Sequence, residues 1–242
     1  MDLPQPLSLL DFREDVFRNI VSLRVSENLF DDLSDDPIDW RTAQAVEAAA
    51  MPPAYRSATP AIDRPFEEAE FINAIGYPFA QPNWSRTRFS DGSFGVWYGS
   101  RAAETTVYET AYHWVNGLLA DAGLVRDGMS IERKVYLVRC DAALVDLRAA
   151  FSRHPSLRSG HDYVACQAIG RRLNVEGHPG LITGSVRHAD GENLAILRPV
   201  VLSSPRMQFY LTYRLTAGTV YVERLIGSSW LTIPLAVLSW AH

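Results

Sequence analysis

Residues 87–123 read TRFSDGSFGVWYGSRAAETTVYETAYHWVNGLLADAG, and the fold turns on how this stretch divides. Its centre, GVWYGS (95–100), is short and rich in aromatic and β-branched residues, the signature of a strand. The next segment, from Arg101 to Gly123, has Val107, Ala111, Trp114, Val115 and Leu118 at the 3.6-residue spacing of an amphipathic helix. Glu104 falls in the first turn of that helix, where its dipole favours a carboxylate. Glu109 lies on the side of the wheel opposite the apolar stripe, so it is either solvated or faces a cleft between helix and sheet. Ahead of the strand, Arg88 precedes a polar turn. Its guanidinium offers paired donors that match a phosphate or pyrophosphate, and it reads equally well as an exposed arginine at a strand edge. Tyr98 presents a flat apolar face with a polar tip, suited to stacking on a ring or to filling a core.

Downstream, the chain keeps alternating. RKVYLVRC (133–140) reads as a strand and HDYVACQAIGRRLNVEG (161–177) as a helix ending at Gly177. GLITGSVRH (180–188) and ENLAILRPV (192–200) read as strands joined by a turn at Asp190-Gly191. A last strand pair, MQFYLTYRL and TVYVERLI, flanks Thr216-Ala217-Gly218. Upstream, Phe12, Val16, Ile20 and Leu23 repeat at helical spacing, which predicts an amphipathic helix over 11–33. An acidic loop (31–39) and a second helix (40–50) come next, broken by the prolines of MPPAY (51–55). An acidic helical patch, EEAEFINAI, ends at Gly76 and Pro78. The expected class is α+β, with a helical N-terminal extension over 1–80 and one mixed domain over 81–242.

Composition narrows the function. With 47% hydrophobic and 11% aromatic residues the chain can bury a large core. A net charge of −5 and a pI near 5.7 argue against nucleic acid as an obligatory partner. Lys134 stands alone among arginines, and no function is drawn from that. Cys140 and Cys166 are too few and too far apart for a disulfide framework or a zinc site. The N-terminus has no basic n-region, and no stretch reaches the roughly 20 apolar residues of a membrane span, so a soluble cytoplasmic protein is expected.

Two further candidates lie in GSVR (184–187) and just beyond it. Gly184 permits close backbone approach and Ser185 adds a small hydroxyl, which also suits an ordinary turn. Asn193 either orders the hairpin or contacts a ligand. The histidines at 154, 161, 178 and 188 have no paired-ligand spacing, and no metal site is expected. GxGxxG, the P-loop pattern and GxSxG are all absent from the sequence. This argues against Rossmann-type, ATP-driven and serine-hydrolase chemistry.

The order and spacing of RFSDGSFGVWYGS, ETTVYE and GLITGSVRHADGENLAIL resemble the RES domain family, named for its Arg, Glu and Ser. On that resemblance the family positions fall on Arg88, Tyr98, Glu109, Ser185 and Asn193. Ser90 stands where the family often carries Asn, and the chain is longer at both ends than the compact members. The resemblance implies an ADP-ribosyltransferase-like fold, a split, mostly antiparallel β core with flanking helices clasping NAD. It implies a toxin that attacks the nicotinamide–ribose bond of NAD, its substrate, and is neutralised by a cognate antitoxin blocking the cleft.

The chemistry expected of those residues is simple. Cleaving an N-glycosidic bond builds positive charge on the ribose, which the Glu109 carboxylate would stabilise. Nicotinamide is already cationic while bound to the ribose and leaves neutral, so no general acid is needed. Arg88 would grip the pyrophosphate, Tyr98 would pack on the nicotinamide or its ribose, and Ser185 and Asn193 would hydrogen-bond the nucleotide. The acceptor of ADP-ribose is open between water, phosphate and a protein side chain. A catalytically silent partner-binding module is the alternative from another class. The 11–30 segment would serve either a homodimer or packing on its own domain; no membrane or nucleic-acid partner is expected.

Overall fold

A computed structural model describes residues 8–22, 72–225 and 227–238. Its frame is an eight-stranded sheet built around one long strand. In chain order the strands are β1 (Leu9–Val21), β2 (Arg86–Thr87), β3 (Ser90–Asp91), β4 (Trp97–Ser100), β5 (Ser130–Asp146), β6 (Gly180–Gly184), β7 (Glu192–Ile196), β8 (Leu202–Thr216), β9 (Thr219–Leu225) and β10 (Ser228–Pro234). The helices are α1 (Ala103–His113), α2 (Arg148–Arg153), α3 (Pro155–Arg158), α4 (Val164–Val175) and α5 (Leu235–Leu238). The sheet order is β1-β4-β7-β6-β5-β8-β9-β10, and β1 also pairs with β5. That extra pairing closes β1, β4, β7, β6 and β5 into a ring, while β8 to β10 extend from β5 as an open antiparallel wing. Among the described strands only β5 and β6 run parallel, at Val145↔Leu181 and Asp146↔Ile182. The core is therefore α+β, split and mostly antiparallel.

β5 shows why the sequence makes this frame. Tyr136, Val138, Cys140, Ala142 and Leu144 are buried on one face while Asp141 and Ala143 between them are exposed, the period of two that a strand imposes. These side chains meet Phe12 and Val16 of β1, Trp97 of β4 and Ile182 and Leu194 of the short strands. On the other face Val135 packs beneath α1, with Val107, Ala111, Trp114, Leu211 and Tyr213. A third cluster joins α4, through Ile169 and Leu173, to Phe89, Leu181 and Ala195. The tight β8–β9 turn runs through Ala217 (φ 48°) and Gly218 (φ 71°), the two left-handed residues of a type I′ hairpin.

Residues 9–21 correct the expected helix. They form β1, paired with β5 from Leu9↔Val145 to Val21↔Arg133 and with β4 at Phe17↔Ser100. Phe12, Val16 and Ile20 are four apart, a spacing that serves a helix of period 3.6 and also one face of a strand of period two. Pairing with β5 along its whole length decides for the strand. Residues 9–21 of the expected helical extension thus belong to the central sheet. The rest of that helix, the acidic loop at 31–39, the helix at 40–50 and the start of the acidic patch lie outside the described residues. Ile72–Gly76, at the end of that patch, is a short π-helical segment.

The helix after β4 keeps its expected position but changes pitch. From Trp114 to Leu119 it widens into a π-helical turn. That shift buries Leu119 (3% exposed) and turns Leu118, expected on the apolar stripe, out to solvent (60% exposed). β10 was not expected from the sequence; it pairs with β9 from Ser228↔Leu225 to Pro234↔Thr219.

Candidate active site

The cleft opens where α1 crosses the short strands, and its chemistry begins with α1. Glu109 Oε1 accepts a hydrogen bond from Ser185 Oγ at 2.7 Å and another from Asn193 Nδ2 at 2.6 Å. Neither partner is free to swing. Ser185 comes directly after β6, and its Oγ also accepts the backbone N–H groups of Arg187 and His188, both at 3.1 Å. Asn193 lies on β7, and its Oδ1 accepts a 2.5 Å bond from Ser100 Oγ at the end of β4. The carboxylate is thus held by one oxygen from two directions. Among the described residues its second oxygen has no hydrogen-bond partner.

The 185–191 loop is clamped onto the same helix. The His188 ring stacks on Tyr108 with centroids 4.6 Å apart and 9° between planes, and its Nδ1 lies 2.9 Å from Thr105 Oγ1. Asp190 adopts φ 59°, which lets the chain reverse in the tight Asp190-Gly191 turn.

Arg88 and Phe89 form the two-residue tip of the β2–β3 hairpin, and three contacts fix that tip. The Phe89 N–H donates to Tyr98 Oη at 3.0 Å, and Thr87 Oγ1 lies 2.8 Å from the same oxygen. Between the Tyr98 and Thr87 hydroxyls either can donate. Burial pushes the Tyr98 phenol up to about 12, against the pull of those bonds and of the Arg88 charge, so it stays protonated at physiological pH. Gln167 Nε2 on α4 donates to Thr87 O at 2.9 Å. Gly170, one turn on, lets α4 touch the hairpin: a Cβ there would lie 1.9 Å from Phe89 O. Ser90 is buried, donating to Phe94 O at 2.6 Å and accepting the Gly92 N–H at 3.1 Å. It closes the turn after the hairpin together with Asp91, whose Oδ1 accepts the Ser93 N–H at 3.0 Å.

These elements enclose a cleft of about 410 Å³, within the usual range for small-molecule sites. Arg88, Tyr98, Glu109 and Asn193 line it, while Ser185 stands behind Glu109 as its support. Tyr98 gives the cleft its ring rather than its hydroxyl. Arg88 donates to the carbonyls of Ser159 (3.2 Å) and Leu157, across from the Glu109 group, and its buried Nε has no partner. Among the described residues lining the cleft, Glu109 is the sole carboxylate, facing Arg18, Arg86, Arg88 and Arg187. The pocket is electropositive and suits a ligand with more than one negative charge.

Sequence reasoning missed Arg18, His113, Tyr163 and Arg187, all of which line the cleft. Arg18 comes from the strand misread as helix. It donates to Tyr98 O at 2.7 Å, and its buried Nε has no partner. Burial, then the nearby Arg133 charge, push its guanidinium down to about 10, which leaves it cationic at neutral pH. His113 lies four positions after Glu109, a helical spacing that would have flagged it. Arg187 ends the GSVR segment; it donates to Gly160 O at 2.6 Å and stacks 3.6 Å above the Tyr112 ring. Behind the cleft, Arg133 Nε donates to Asn19 Oδ1 at 2.8 Å. Asn19 in turn donates to Tyr213 Oη at 2.8 Å, which lies 2.9 Å from Thr110 Oγ1 on α1.

Among the described residues no helix is long and apolar enough to cross a membrane, and no group of three His, Cys, Asp or Glu side chains is placed to hold a metal ion. No curated protein matches the chain. Among solved structures it is similar to a chain of the M. tuberculosis MbcT–MbcA toxin–antitoxin complex. That match has 13% identity and a TM-score of 0.43, over 86% of this chain and 87% of the other. The sequence model of the RES domain matches residues 72–216, more than half of the molecule and the whole span from Arg88 to Asn193. The chain belongs to the RES domain family.

Proposed function

We propose that the cleft takes NAD and that the protein breaks its nicotinamide–ribose bond, passing the ADP-ribosyl group to water or phosphate. The observation that carries this reading is the Glu109 carboxylate, held at Oε1 by Ser185 and Asn193 and open at its other oxygen within a cleft of arginines. A fixed carboxylate stabilises the positive charge that grows on the ribose as the bond lengthens. Nicotinamide departs with the bonding electron pair, which cancels its own pyridinium charge. The arginines that line the cleft, Arg18, Arg86, Arg88 and Arg187, suit the pyrophosphate by charge and charge-assisted hydrogen bonds. The ring of Tyr98 offers a stacking face for the nicotinamide end.

On this reading the protein is an NAD-depleting toxin, and a cognate antitoxin restrains it by covering the cleft. The test is a proton-NMR time course of NAD with purified protein, following free nicotinamide. Wild type releases nicotinamide, and Glu109→Gln slows release by about 10²–10³, the cost of losing one electrostatic stabiliser. A folded Glu109→Gln protein with undiminished release overturns the role of Glu109. ADP-ribose appearing on a protein while bulk NAD persists would move the chain to the protein-modifying class.

A further inference from the structure

The cleft presents a second open group beside Glu109. His113 sits one helical turn further along α1, on the same face, and lines the same cavity. Its ring rests edge-on to Tyr112, with centroids 5.3 Å apart and 83° between planes. Among the described residues its ring nitrogens have no hydrogen-bond partner, and the residue keeps solvent exposure although neighbouring groups crowd its ring. It therefore lies beside Glu109 on the cavity wall with access to solvent.

We infer that His113 is a catalytic residue for the acceptor half of the reaction, the general base that takes a proton from the attacking water. The inference rests on the NAD-cleaving reading and adds a group to it. The step balances simply. The C1–N bond of the ribose breaks, and its electron pair leaves with nicotinamide. The water oxygen bonds to the same carbon, and its proton passes to a His113 ring nitrogen. His113 then returns that proton to solvent. The products are nicotinamide, ADP-ribose and one proton.

The charges around His113 keep it in the form this role needs. Desolvation by the surrounding protein lowers its pKa from the ordinary 6.5. Glu109 on α1 pulls the other way, while Arg187 from the β6–β7 connection and Arg133 from β5 add to the lowering. A lowered value leaves the ring neutral, and able to accept a proton, through neutral pH. As pH falls through that value the ring protonates and the base is lost.

Phosphate separates this role from simple binding. At neutral pH a phosphate dianion is already a nucleophile and needs no base, whereas water does. Nicotinamide release is measured for wild type and His113→Gln from pH 5 to 9, without phosphate and with saturating phosphate. Expected is a loss of about a hundredfold in hydrolysis for His113→Gln, within the span of general-base effects. The phosphate-supported rate changes less than about threefold, and the acid limb of hydrolysis disappears. Equal losses by both routes would make His113 a dinucleotide contact, and no loss by either would remove it from the reaction; each overturns the inference. A wild type that releases no nicotinamide with either acceptor instead overturns the NAD reading itself. His113→Asn, of different reach, is run in parallel. Its amide takes no proton either, so the same selective loss of hydrolysis supports proton transfer, and hydrolysis recovered there counts against it.

Discussion

The two sides of the cleft are built differently. On one side stand the short strands β4, β6 and β7 with α1 and the β2–β3 hairpin. Their functional groups sit in turns and on helix faces, where local geometry aims them: Arg88 at a hairpin tip, Ser185 after a strand end, Glu109 on the open face of a helix. On the other side stands the wall of β1, β5 and β8. It is built of long strands, and Asn19, Arg133 and Tyr213 form a buried polar group within it, bonded to one another. The contrast divides the labour. On the proposed reading the turn-rich side supplies most of the chemistry and Arg18 of β1 joins it across the cleft, while the rest of the wall holds α1 in place.

The sharpest way to break that division is through Asn19. It accepts Arg133 Nε and donates to Tyr213 and to Thr106 of α1. Asn19→Ala takes one partner each from a buried guanidinium and two hydroxyls, all of which keep another bond, and costs about 3 kcal/mol. That is a fall of about 6–12 °C in thermal midpoint for a chain of this size, with catalytic rate per folded molecule kept within about threefold. Full loss of turnover at an unchanged midpoint would make the wall part of the chemistry instead. Gly170→Ala tests the other side. Its Cβ meets the Phe89 carbonyl, so α4 and the hairpin must part and Arg88 moves with them. KM for NAD rises about tenfold, equivalent to about 1.4 kcal/mol, while kcat moves little; the reverse split would give the hairpin a role in the chemical step. Arg101→Ala is the mildest. Arg101 bridges Glu14 on β1 and Glu192 on β7 across the seam between the two sides. These are partly exposed pairs, worth below about 1 kcal/mol and screened by salt. Chemical denaturation at low and high salt measures the difference, and a larger loss would show that the seam depends on them.

The same division explains what could be read from sequence. Arg88, Tyr98, Glu109, Ser185 and Asn193 were legible through the order and spacing of their motifs, and the strands and helices read between 95 and 225 fall close to where their patterns put them, whereas the short α2 and α3 were not read. What could not be read depends on partners far along the chain. β1 carries apolar residues at intervals of four, which are mute between helix and strand until β5 lies alongside. Arg18 was hidden with it. Leu118 and Leu119 exchanged places because a π-helical turn adds one residue to the helix, a change that a regular wheel cannot register. Arg133 and Tyr213 are polar residues on strand faces that otherwise read as core, and only their mutual bonding explains them.

The ring closure by β1 also sets the order of events during synthesis. β1 leaves the ribosome early, yet its partners run from Arg133 to Val145, more than a hundred residues later. At about 5–20 residues per second the strand waits on the order of ten seconds with its hydrogen-bonding edge unsatisfied. Contacts of such separation also form late, after the cost of closing a long loop is met. Arg18 and Asn19 reach the cleft only when that closure is complete. A nascent or truncated chain ending before β5 therefore holds Arg88, Tyr98 and Glu109 without the wall that orders them. A complete cleft therefore exists only once the chain has been made through β7, which carries Asn193.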